Sequence, residues 1–192
     1  MKFCLTMIAL GALAACGGTG ISAIAGGTPI VNSDVDMSLA APGAGLPFGR
    51  IDTTCGVTAA SLGKPVVAAS GYTVYDTNPT STAPRAHYVD GFTDGCLRQF
   101  TAALVLMGDV ATHEGVRYQA SNKRPYSDTD TTYEVIKASY CGASSGQPCG
   151  AKLDALGRRT VFVTAYPSFS DSDNWVEYLL HEGVVAQAGD ER

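Results

Sequence analysis

DGCLRQFTAALVLM, residues 94–107, lies in the middle of a 192-residue chain and turns almost wholly apolar after Gln99. Leu97, Phe100, Leu104 and Met107 recur at steps of three and four, the spacing that puts side chains on one helix face. Cys96, Ala103, Val105 and Leu106 widen that face, and a helix apolar on most sides is buried on most sides. Thr93 or Asp94 can cap its start, and Gly108 can end it. The stretch predicts a central helix, with Cys96 in its first turn as the point where a disulfide ties it to an earlier part of the chain.

Upstream, residues 48–53, 65–70 and 72–76 are β-prone, with Gly71 breaking the last two, and residues 86–89 can form one more short strand. Residues 78–85 (NPTSTAPR) read as a loop. Downstream, Asp109 can cap a helix over residues 110–118. Ser127 with Asp130 three positions on makes a capping-box variant that introduces a third helix, residues 128–140, closed by Gly142. On that helix Tyr133 and Ile136 are expected to pack inward, with Glu134, Lys137 and Ser139 in water. Leu153 and Leu156 can hold one more turn. TVFVTAY at 160–166, WVEYLL at 175–180 and VVAQA at 184–188 predict a three-stranded antiparallel meander, with Gly183 in its second turn. The expected fold is α+β: a small antiparallel sheet with a C-terminal three-stranded meander packed on about three helices.

The N-terminus is of another kind. Lys2 is followed by a short apolar run, residues 3–13, too short to span a bilayer. The run ends at Leu13-Ala14-Ala15-Cys16, followed by Gly17 and Gly18. This resembles the lipobox of bacterial lipoproteins. The resemblance covers only these residues. It implies cleavage before Cys16, a lipid on that cysteine, and a membrane partner through it. Without an aspartate at position 17 it points to the outer membrane of a Gram-negative bacterium, facing the periplasm. The rival reading is a soluble periplasmic protein cut after Ala23-Ile24-Ala25. Residues 17–47 are rich in Gly, Ala, Ser, Thr and Pro and lack a sustained period, as a flexible tether does. The expected division is a signal segment 1–15, a lipidated tether 16–47 and a single globular domain 48–192.

Composition, 45% apolar and 16% charged, is that of a soluble globular domain. The formal charge of −5 becomes one unit more negative once residues 1–15, with Lys2 and no acid, are removed. An acidic chain has no electrostatic footprint for nucleic acid.

Of the six cysteines, Cys4 falls in the signal and Cys16 is taken by lipid. Cys55, Cys96, Cys141 and Cys149 remain, an even number in an oxidising compartment. Gly142, Gly146 and Pro148 suit a turn that joins Cys141 to Cys149, and Cys55 with Cys96 follows by elimination. By chain entropy the short loop is worth about 2.6 kcal/mol and the long one about 3.9 kcal/mol. The competing chemistry, zinc or a lowered-pKa Cys96, lacks a Cys-x-x-Cys or a Cys–His pair at ligand spacing.

No catalytic constellation assembles in the sequence. His113-Glu114 and His181-Glu182 lack the second histidine that zinc on a helix requires, so His113 reads as a helix-surface residue and His181 as a turn residue. No metal site and no cofactor are expected. Asp171, Asp173 and Asn174 resemble half a calcium loop without its glycine and glutamate. Trp175 can form an aromatic cluster with Tyr166 and Tyr178. The densest polar cluster holds Arg85, His87, Asp90 and Arg98, and a ligand site is sought there first, against the alternative of an internal ion-pair network. The expected function is non-enzymatic: an envelope lipoprotein that binds or scaffolds, with an envelope protein as a possible partner. The alternatives are an envelope hydrolase with its site near residues 85–94, or a hydrolase inhibitor presenting the Cys141–Cys149 loop.

Overall fold

The computed structural model describes residues 38–191. The signal segment, Cys16 and most of the expected tether lie outside the described residues.

Residues 94–107 do not form a helix. They form two strands, β5 (Leu97–Ala102) and β6 (Leu104–Gly108), which belong to different sheets. Periodicity alone cannot separate a buried helix from strands covered on both faces. Phe100 and Ala102 point into the core at 0% exposure, and Gln99, on the opposite face, is buried as deeply. The fully buried Ala103 is the crossing point, its N–H donating to the Tyr166 carbonyl at 2.8 Å. Asp94 caps a turn instead, its carboxylate accepting from the Cys96 N–H at 3.0 Å.

The first sheet has five antiparallel strands, in the order β1 (Ile51–Thr54), β5, β4 (Arg85–Asp90), β3 (Tyr72–Asp76) and β2 (Lys64–Ala69). The second has four, in the order β6, β7 (Thr160–Tyr166), β8 (Trp175–His181) and β9 (Val184–Glu191). The molecule is thus α+β with two antiparallel sheets, and β7–β9 form a meander that β6 extends. Among the described residues four α-helices complete it: α1 (Ala59–Leu62), α2 (Val110–Arg117), α3 (Asp128–Cys141) and α4 (Leu153–Gly157). Among the described residues no helix is long and apolar enough to cross a membrane.

Strand alternation sets the layers. Tyr72, Val74, Val89 and Phe100 of the first sheet meet Val161, Val163, Val176, Tyr178 and Leu180 of the second in one core. Phe162, Leu179 and Ala186, on the second sheet's other face, meet Val110, Tyr133, Ile136 and Leu156 of the helices in another. One turn pins the two sheets together. Glu182 and Gly183 have φ of 47° and 81°, and a Cβ at Gly183 would meet Thr93 Cγ2 at 2.4 Å. Gly183 also receives the Thr93 N–H on its carbonyl and donates its own N–H to Tyr72 Oη at 2.7 Å.

Among the described residues two disulfides close, Cys55–Cys96 and Cys141–Cys149. The first joins the end of β1 to the turn before β5, where the expected helix start would have been. Residues 38–47, the end of the expected tether, pair with the edge of β1 through residues 38–40 and cross onto the outer face of the first sheet at Gly43 and Ala44. Leu39 bridges Thr53, and the amide of the buried Gln99 accepts from the Gly43 N–H at 2.9 Å and donates to the Ala44 carbonyl at 2.5 Å.

Candidate functional site

On β7 and β8 the register sets Thr164 opposite Glu177, so Phe162, Thr164, Trp175 and Glu177 share the face turned toward the helices. The helices cover only part of that face. A cleft of about 520 Å³ remains, walled by α2, the connector 122–127 and the start of α3.

Two caps fix its walls. Asp109, directly after β6, accepts from the Thr112 N–H at 2.8 Å and starts α2. The Ser127 hydroxyl accepts from the Asp130 N–H, and the Asp130 carboxylate accepts from the Ser127 N–H at 3.1 Å, the reciprocal box expected for α3. Helical spacing then turns Thr112, His113, Val116 and Arg117 of α2 toward the cleft.

The His113 ring is stacked on Phe162, centroids 4.2 Å apart, and meets Tyr133 edge-on at 4.8 Å. Its Nε2 lies 3.3 Å from Asp130 Oδ1, and Arg117 Nε lies 3.3 Å from Asp130 Oδ2. The Arg117 guanidinium covers the Tyr126 ring at 3.9 Å and donates to the Arg124 carbonyl at 3.0 Å. Burial pushes the His113 imidazole down to about 4, opposed by Asp130, so it is neutral at pH 7. Glu177 is held by the Thr129 hydroxyl at 2.8 Å.

Behind the cleft is a buried ionic cluster. Glu134 and Lys137 do not face water as expected: they are 7% and 0% exposed, while Val135, Ala138 and Ser139 are exposed. The cause is that α3 is covered on two sides, by the second sheet and by the disulfide loop. Glu134 accepts from Lys137 Nζ at 2.6 Å, from the Tyr118 hydroxyl at 2.5 Å and from the Gly146 N–H at 3.0 Å. Against burial, which alone would raise it, these donors hold its carboxyl below the usual range. Glu114 accepts from the Tyr133 hydroxyl at 2.8 Å and from the Cys149 N–H. Burial, with these carboxylates as acceptors, pushes both tyrosines above the usual phenol range.

The residues singled out first are divided by the sheet. Arg85 and His87 sit side by side on the core face of β4, around Asp76. Arg85 donates to both Asp76 oxygens, with Nε at 2.7 Å, and to the carbonyls of Ala83 and Ala103. His87 Nε2 lies 3.4 Å from the same carboxylate, and burial holds its pKa down. Asp90 points from the opposite face of β4, is exposed, and accepts from the Gly91 N–H. Arg98 is at the far end of β5, paired with Asp94 at 3.0 Å and lying over Phe92 at 4.2 Å.

Two other expectations are corrected by position. His181 is the last residue of β8, 2% exposed, with Nδ1 2.8 Å from the Thr160 hydroxyl. Tyr178 is on the core side of β8, so it shares no cluster with Trp175. Asp171 accepts from the Asp173 and Asn174 N–H groups, a turn cap. Among the described residues no three His, Cys, Asp or Glu side chains converge as a metal set. The missed cleft residues, His113, Arg117, Asp130 and Glu177, come from three elements, and their one sequence signal was the capping box that places Asp130.

Comparison with protein families, with curated proteins and with solved structures yields no match for this chain.

Proposed function

We propose that the chain is an envelope lipoprotein, held by lipid on Cys16, whose domain binds a small polar molecule in the cleft without transforming it. The observation that carries the reading is the cleft on the second sheet, with Trp175 and Glu177 on its floor and opposite charges on its walls. A binding role is favoured over hydrolysis because the hydroxyls beside His113 are engaged. Thr112 donates to Asp109 at 2.9 Å, and Ser127 is committed to its cap. The Asp130 carboxylate serves the same cap and Arg117. The inhibitor reading is weakened by the loop between Cys141 and Cys149, which turns the N–H groups of Gly146 and Cys149 inward onto buried carboxylates.

Two measurements test the proposal. Cys16→Ala should release the protein from the membrane fraction and abolish acyl labelling, and a variant that still fractionates with membranes refutes the anchor. Thr164→Phe fills the cleft floor. Native mass spectrometry after incubation with the small-molecule fraction of an envelope extract should show a bound species on the wild type that the variant loses. Equal occupancy, or none on either, refutes the cleft.

A further inference from the structure

We propose that the cleft takes a saccharide, a neutral sugar ring lying on the Trp175 indole with its hydroxyls on Glu177 and Arg124. This choice of ligand class rests on the binding reading of the same cleft.

The aromatic faces in the cleft are not equivalent. Phe162 is covered by His113 at 4.2 Å, and Tyr126 by the Arg117 guanidinium at 3.9 Å. Among the described residues no ring or cation is stacked on Trp175, which lines the cleft and is half-buried. An indole face is apolar and electron-rich, so it suits a ligand with C–H groups on one face.

Charge excludes the alternatives. Arg117 is already paired with Asp130 at 3.3 Å. The charges that line the cleft are mixed, with Arg117 and Arg124 against Asp109, Asp130 and Glu177. A site for phosphate or carboxylate would concentrate donors of one sign, and a site for a cation would concentrate acids. Mixed donors and acceptors around an aromatic floor match a neutral ring edged with hydroxyls. Glu177 accepts from the Thr129 hydroxyl at 2.8 Å and from the Thr164 hydroxyl at 3.5 Å, and a carboxylate with about four acceptor positions can take a sugar hydroxyl beside them. A volume of about 520 Å³ is that of a small-ligand site.

Trp175 is the only tryptophan in the chain, so its emission reports on this cleft alone. The test is a fluorescence titration of the whole protein with chitotriose, maltotriose and cellotriose, repeated by calorimetry. A saturable emission change with at least one of them is expected. By calorimetry that saccharide should bind Trp175→Ala and Glu177→Gln at least about tenfold more weakly, with Trp175→Phe in between. Circular dichroism and Tm identify any variant that has lost its fold, and Trp175→Phe and Glu177→Gln then carry the test. No emission change and no heat with all three sugars overturns the proposal, as does unaltered binding by both of those variants. If the wild type still captures an extract component that Thr164→Phe loses, the saccharide class falls and the binding reading stands. If that capture also fails, both fall.

Discussion

Glu134 exchanges water for three donors, and Lys137 gives up water for two partners and the face of the Tyr118 ring, 4.5 Å from Nζ. Removing one member of such a buried pair leaves the other charged and uncompensated, at a cost of about 3–5 kcal/mol. Glu134→Gln and Lys137→Met should each destabilise by that order in urea unfolding. The double variant should recover a large part of the loss, and a sum of the two single effects would show that the pair is not coupled. In sequence this pair looks like an ordinary i, i+3 ion pair on a helix surface, and nothing in its spacing signals burial. The buried histidines set the acid side of stability. Burial brings His181 down to about 4, against the pull of Glu182, while the unfolded chain titrates near the ordinary 6.5. The unfolded state therefore binds more protons between those values, so stability is full above 6.5, falls with pH through that window and levels off below about 4. The contribution of His181 is on the order of 3 kcal/mol. Unfolding at pH 7.5 and 4.5 should show it in the wild type, and His181→Asn should shrink the difference by its share, leaving the part that His113 and His87 contribute. Below that window the lowered carboxyls of Asp76 and Glu134 begin to protonate and continue the loss.

Elements announce themselves in the sequence where local chemistry makes them. The α3 box, its Gly142 stop at φ 74° and the Asp109 cap of α2 were all readable, because each is a bond between neighbours in the chain. β5 and β6 were not, because what distinguishes them is a partner: His87 faces Phe100, and Val163 faces Met107. Strand parity, by contrast, is legible in the sequence. Trp175 and Tyr178 are three apart and cannot share a strand face, so the cleft tryptophan could be separated from the core tyrosine in advance. The disulfides differ at this scale from what loop length implies. Cys55–Cys96 joins strands already paired through Thr54 and Leu97. Cys141–Cys149 has the shorter loop, yet it holds the N–H groups of Gly146 and Cys149 on two buried carboxylates. Replacing Cys141 and Cys149 by Ala should therefore cost more than the ~2.6 kcal/mol of chain entropy and at least match the loss of the other bond. Urea midpoints of the two double variants check the order.

At the scale of the whole molecule, the layers place the strap 38–47 and the cleft on opposite sides. The strap lies outside the first sheet, and the cleft opens outside the second. The sequence could not show this, since it depends on which sheet each strand joins. The strap also has a mechanical consequence. Its backbone contacts with the sheet include the Ala40 N–H to the Thr53 carbonyl and the Thr53 N–H to the Ser38 carbonyl, and β1 is an edge strand. A pull on the N-terminus loads these first. The strap peels, β1 follows, and the chain pays out to Cys55, where its covalent bond to Cys96 arrests the movement. Force spectroscopy between residue 38 and the C-terminus should record an early, low-force extension of up to about 55–60 Å, the contour of residues 38–55, less their starting separation, after which the oxidised protein resists and the reduced one continues to unravel. The strap is a shock absorber with a fixed travel, and the first disulfide is its stop.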